Sequence, residues 1–187
     1  RSTRGCRGNG IVGLVCPAEC QPRHRDGLAG SGGSFPAIIK NSGATQSTLS
    51  LKPSVASTYS GRVQDDVKLV IGGTAPQTLA GANFHTADTT INTGASLIVS
   101  NTGELQFYPT TNGVTNSVGG TGTLQYDGIV RINLSGADPT PGNSWTLVNT
   151  GSLANATPFG TTFSVTGSAG AFAETAVNSG VWKVVDG

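Results

Sequence analysis

The chain has 187 residues, a formal net charge of +1, 11% charged and 6% aromatic residues, three cysteines and no methionine. So balanced a charge gives no general electrostatic footprint for nucleic acid or for an anionic membrane, and no apolar stretch approaches the roughly 20 residues of a membrane-spanning helix. Ser, Thr, Asn and Gly stand where an average globular protein carries about 25% charged side chains. That substitution is common in extracellular β proteins, where hydroxyls and amides form ladders along stacked strands.

Residues 1–27 form an N-terminal lead rich in Arg and Cys, and it is expected to be irregular. It holds Arg1, Arg4, Arg7, Arg23 and Arg25, read as a solvated leader, and all three cysteines. Cys6, Cys16 and Cys20 with His24 have the donor chemistry of tetrahedral zinc. The wide step from Cys6 to Cys16 is unlike paired knuckles, and a disulfide with a leftover thiol, or free thiols, is the preferred reading, so no metal is assigned. Gly8-Asn9-Gly10-Ile11-Val12-Gly13 has the spacing of a dinucleotide-binding loop. No strand precedes it, and Pro17 prevents the helix whose N-terminus would face a pyrophosphate.

Residues 28–144 change character. The runs Thr48-Leu49-Ser50-Leu51, Lys68-Leu69-Val70-Ile71, Ser96-Leu97-Ile98-Val99, Glu104-Leu105-Gln106-Phe107, Thr123-Leu124-Gln125-Tyr126 and Arg131-Ile132-Asn133-Leu134 alternate polar and apolar residues, the period of a half-buried strand. Leu49 to Leu69, Leu69 to Leu97 and Leu105 to Leu124 are separated by roughly 20 to 28 residues, one unit of a stacked repeat. Gly- and Asn-rich corners separate them, and no window shows a helical period. The predicted fold is all-β, a parallel β-helix or solenoid with an antiparallel C-terminal cap. Leu49, Leu51, Leu69, Ile71, Leu97, Val99, Leu105, Phe107, Leu124, Ile132 and Leu134 are expected to face inward. Asn112-Gly113 and Asp127-Gly128 also suit two-residue hairpin turns, which keeps an antiparallel β-sandwich as the alternative. Residues 145–187 are assigned to the cap, with strands over 145–148, 162–166 and 181–185, and with Phe159, Phe163, Phe172 and Trp182 plugging the end.

Ser57-Thr58-Tyr59-Ser60-Gly61 followed by Val67-Lys68-Leu69-Val70-Ile71-Gly72-Gly73, with Thr48-Leu49-Ser50-Leu51 ahead of them, resembles the autotransporter-associated β-strand repeat. Gly94-Ala95-Ser96-Leu97-Ile98-Val99 and Gly120-Thr121-Gly122-Thr123-Leu124 are similar to generic coils of the same bacterial passenger proteins, and Asn143-Ser144-Trp145-Thr146-Leu147-Val148 to their closing strand. The resemblance implies a β-helical scaffold and carries no catalytic residue to transfer.

Chemistry-bearing residues are sparse. Asp65 and Asp66 are adjacent carboxylates whose side chains would diverge on a strand, and they are read as exposed charge. His85 with Asp88 suggests a base and its orienter, but no nucleophile elbow accompanies them, and His85 is expected on a solvated loop. Among Tyr59, Phe84, Phe107, Tyr108, Tyr126 and Trp145, the candidates for stacking on sugar rings are Tyr59, Tyr108 and Tyr126. No catalytic residue and no cofactor is assigned. Beginning at Arg1 and ending at Gly187 after a strand-like run, the chain reads as part of a longer protein. The resulting expectation is a non-enzymatic repeat scaffold of a bacterial cell-surface or secreted protein, a stalk, fibre subunit or adhesin-like passenger. It would sit outside the cell and associate with itself, with neighbouring repeats or with extracellular glycans. The alternatives are a carbohydrate-binding module and a β-helical polysaccharide-degrading enzyme.

Overall fold

The computed structural model describes residues 14–16, 24–25, 37–155, 158–167, 170–174 and 182–185. Two short strands, β1 (Leu14–Cys16) and β2 (His24–Arg25), precede four coils of three strands each. Coil one is β3 (Ile38–Asn41), β4 (Ser47–Leu51) and β5 (Ser57–Tyr59); coil two is β6 (Arg62–Asp65), β7 (Val67–Ile71) and β8 (Gln77–Leu79). Coil three is β9 (Ala82–His85), β10 (Thr89–Ile91) and β11 (Ser96–Val99); coil four is β12 (Glu104–Phe107), β13 (Val118–Gly120) and β14 (Thr123–Tyr126). A fifth turn opens with β15 (Ile129–Ile132) and ends in β16 (Ser164–Gly167), β17 (Gly170–Glu174) and β18 (Trp182–Val185).

From β1 to β15, each strand pairs with its counterpart one coil away. The first sheet runs β1-β3-β6-β9-β12-β15-β16-β17-β18, the second β2-β4-β7-β10-β13 and the third β5-β8-β11-β14. Pairing is parallel through β16 and antiparallel only from β16 to β17 to β18, so the chain is a β-solenoid closed by an antiparallel end. The register step is 20 residues where the corners are shortest, from Ser57 to Gln77 to Leu97. Asp127-Gly128 turns the corner from β14 to β15, and Asn112-Gly113 lies in the long link from β12 to β13. Neither makes a hairpin, which removes the sandwich alternative. In the lead, where irregular chain is expected, β1 and β2 add a row to the first and second sheets. Cys6, Cys20 and the glycine-rich segment 8–13 lie outside the described residues.

Parallel stacking superposes like positions, so apolar residues form columns. Leu51, Ile71 and Ile91 lie in one column of the second sheet, and Tyr59, Leu79, Val99 and Tyr126 in one column of the third. All seven are buried. Of the residues expected to face inward, nine are buried, while Leu49 and Leu134 are half-buried against the same core. At about 1.5–3 kcal/mol for each buried Val, Leu, Ile or Phe side chain, these columns supply the main cohesion between coils. The cap departs from expectation at 145–148, where a single bridge from Val148 to Val118 replaces a strand. Phe159 and Phe163 do plug the end: Phe163 stands edge-on to Tyr126 at 5.5 Å between ring centroids, and Phe159 lies 4.5 Å from Phe163. The side chains of Phe172 and Trp182 lie outside the described residues.

Gly61, Gly81, Gly103 and Gly128 occupy the corner between the third sheet and the next coil's first strand. A Cβ on Gly81 would overlap the carbonyl oxygens of Ser60 and Gly61, one on Gly103 that of Leu79, and one on Gly128 those of Ser100 and Gly103. The Gly81 carbonyl in turn accepts from the Glu104 amide at 3.0 Å, and the Gly103 carbonyl from the Ile129 amide at 2.9 Å. Gly81→Ala should therefore lower stability by about 1–3 kcal/mol, the cost of overpacking. Gly119→Ala, whose Cβ meets only ordinary contacts, should change it by less than about 1 kcal/mol and in the stabilising direction. Urea denaturation of the two variants checks the contrast, and equal losses would refute a steric role for this corner.

Candidate functional site

The corner between the first and second sheets is where the coils differ. In coil two only Asp66 separates β6 from β7, a turn made possible by Asp65 at φ 64°, a left-handed conformation that Asp tolerates. Coil three uses residues 86–88, coil four uses 108–117, and 133–147 follows β15 in the fifth turn. The last two segments pack together into a lobe beside the solenoid. Thr110 O accepts from the Asp138 amide at 2.9 Å, Ser144 O from the Gly113 amide at 3.0 Å and Thr111 O from Trp145 Nε1 at 2.8 Å. Asn116 ties the base of the lobe to the solenoid. Its Oδ1 accepts from the Tyr108 amide at 2.8 Å, and its Nδ2 donates to the carbonyls of Gln106 and His85 at 2.9 and 3.1 Å.

Between this lobe and the corners of coils one to three lies a groove of about 400 Å³, lined by Gln46, Lys68, Asp88, Tyr108, Val114 and Thr115 among others. The parallel register sets Leu69 against Thr89, which brings Lys68 alongside Asp88. The Asp88 carboxylate is oriented by Ser117, whose amide and hydroxyl donate to Oδ1 at 2.8 and 3.0 Å. Tyr108 is half-buried, and its hydroxyl donates to Phe84 O at 3.2 Å. Burial first, then the charges of Asp65 and Glu104, raises its pKa above the ordinary tyrosine value, so it stays a neutral donor.

The other two stacking candidates are corrected by their burial. Tyr59 is 2% exposed and Tyr126 fully enclosed. Their hydroxyls donate to backbone carbonyls, Tyr59 to Ala37 O at 2.7 Å and Tyr126 to Ile129 O at 3.0 Å, so neither ring offers a face to a ligand. Phe107 is in the core as well, and the Phe84 ring already carries the Arg62 guanidinium 4.7 Å from its centroid. Only Tyr108 joins the groove.

His85 is also corrected. It is 4% exposed, buried beneath the corner of coil three, with Nε2 at 2.8 Å from Thr89 Oγ1. Because Asp88 turns to Ser117, the two do not pair as base and orienter. Asp66 is half-buried and structural: its carbonyl accepts from the Ser47 amide and from Asn41 Nδ2, and its carboxylate from Gln46 Nε2. Among the described side chains of the first sheet the one buried carboxylate is Glu104, held by Arg131 Nε and Nη2 from the next coil, a contact that raises the Arg131 pKa. Among the described residues no three His, Cys, Asp or Glu side chains gather into a metal site; for Cys16 and His24 only the backbone, in β1 and β2, is described.

Comparison of the chain with protein families, with curated proteins and with solved structures finds no match. The groove residues that sequence reasoning missed are Lys68, Val114 and Thr115, while Asp88 was considered only as an orienter for His85. The available signal was the excess length between Phe107 and Val118, since insertions in a stacked repeat collect as loops on one side.

The buried imidazole makes stability pH-dependent. Burial, opposed only in part by Asp88, pulls the His85 pKa from 6.5 down to about 4, so between those values the unfolded chain binds a proton that the folded one refuses. Stability should be complete above pH 6.5 and fall as pH drops towards 4, this residue contributing up to about 3 kcal/mol of the loss. Chemical denaturation from pH 7 to 4 should show a shallower slope for His85→Asn than for the parent; parallel slopes would refute the assignment.

Proposed function

We propose that this chain is a non-enzymatic structural repeat scaffold of a bacterial cell-surface or secreted protein, serving as a stalk, fibre subunit or adhesin-like passenger. The observation that carries this reading is how the polar side chains are used. Glu104 grips Arg131 across coils, and Asp88 holds Ser117. Asn83, fully buried, accepts from the Val63 amide of the coil before and donates to Glu104 O of the coil after. Thr93 and Thr121 join their hydroxyls at 2.7 Å on the outside. These side chains are thus engaged in binding one coil to the next, the arrangement a load-carrying rod requires.

Self-association belongs to the same proposal. Among the described residues β18 stands last in the first sheet, and a terminal strand presents backbone donors and acceptors on its outer edge as a template for another chain. The low charge density weakens the repulsion that would keep such edges apart. Sedimentation over a concentration series, with electron microscopy of the same samples, should give elongated particles whose mass grows with concentration, whereas a strictly monomeric particle would overturn self-association. Incubation with a panel of plant and bacterial polysaccharides should release no reducing ends, and release by the pure chain would overturn the non-enzymatic reading.

A further inference from the structure

We propose that the groove between the lobe and the corners of coils one to three binds a neutral oligosaccharide. Its floor crosses successive coils at Gln46, Lys68 and Asp88 before meeting the wall formed by Tyr108, Val114 and Thr115. With adjacent strands about 4.8 Å apart, three coil steps give a trough of about 14 Å, room for a chain of about three sugar rings.

The chemistry of the lining selects the ligand class. Lys68 offers only donors, and the Asp88 carboxylate offers acceptors, one oxygen of which Ser117 already fixes in direction. A sugar hydroxyl both donates and accepts, so a run of hydroxyls satisfies the two together. An acidic chain would meet Asp88, and a cationic one Lys68. Val114 is 55% exposed, one of two large hydrophobic side chains so exposed among the described residues, and it stands on the groove wall beside the half-buried Tyr108. Together they supply the apolar surface that the CH face of a pyranose ring covers. The lobe is also held in place before any ligand arrives. Asn116 joins it to coils three and four, and the Tyr108 hydroxyl is bonded to Phe84 O, which reduces the ordering cost of binding.

Isothermal titration of the full chain with cellotetraose, maltotetraose, mannotetraose and chitotetraose, and with tetragalacturonate as the acidic counterpart, tests the proposal. At least one neutral tetrasaccharide should bind saturably. Tyr108→Ala and Asp88→Asn should each weaken that binding by about tenfold, the size expected for loss of one stacking or charge-assisted contact. Val114→Asp, a change on an exposed loop that leaves the core untouched, should do the same, while Val55→Asp, at an exposed position outside the groove, should leave it unchanged. Circular dichroism confirms that each variant is folded. No saturable binding to any neutral probe, preference for tetragalacturonate, or equal affinity in Val114→Asp and Val55→Asp would each overturn it.

Discussion

The close approach of one coil's backbone to the next at the glycine corners is the constraint on which the rest of this molecule depends. Gly81 rests against the carbonyls of Ser60 and Gly61, and Gly128 against those of Ser100 and Gly103, with no space for a side chain between them. At this separation the amides of Glu104 and Ile129 reach the carbonyls of Gly81 and Gly103, and the strands that follow enter the first sheet already in register. A parallel ladder has no hairpin to fix its alignment. Here the corner does that work, and the alternation of each strand then decides which side chains turn inward.

Given that register, the interior is a set of short columns rather than a broad core. Such a core is narrow, and every polar group inside it has to find a partner along the coil axis. Asn83 and Gln77, both fully buried, bond to backbone groups of neighbouring coils. Tyr59 and Tyr126 serve the same need at the corners: in Tyr59-Ser60-Gly61 and Tyr126-Asp127-Gly128 the ring fills the column and its hydroxyl satisfies a carbonyl at the turn. The buried His85 is the costly member of this set, because only one of its ring nitrogens has a partner among the described residues.

The corner between the first and second sheets is free of the glycine constraint, and there the chain varies. One residue suffices in coil two and ten are used in coil four, without disturbing the columns on either side. The long segments find each other through backbone hydrogen bonds and build the lobe that turns a smooth rod into one with a groove. Solenoid and groove therefore have different physical origins in this protein. The first comes from repetition and the second from departures from it.

Period and composition alone determined the solenoid. A polar-apolar alternation returning at coil length, bounded by Gly and Asn, leaves few ways to bury one strand face other than stacking, and Leu51, Leu69, Ile71, Leu97, Val99, Leu105 and Leu124 face inward as the alternation requires. The corner phrase went unread: Leu79-Ala80-Gly81 stands where Tyr59-Ser60-Gly61 and Tyr126-Asp127-Gly128 stand, an equivalence that marks as column residues the two tyrosines taken from the sequence as stacking candidates. What the sequence leaves open is which polar groups end up side by side, because that depends on the register between coils. Asp88 lies next to His85 in the chain's own loop yet bonds to Ser117, which the insertion in coil four carries back to the corner. Lys68 and Asp88 became neighbours, and Tyr108 and Val114 became a wall, only when the coils stacked and the lobe closed over them.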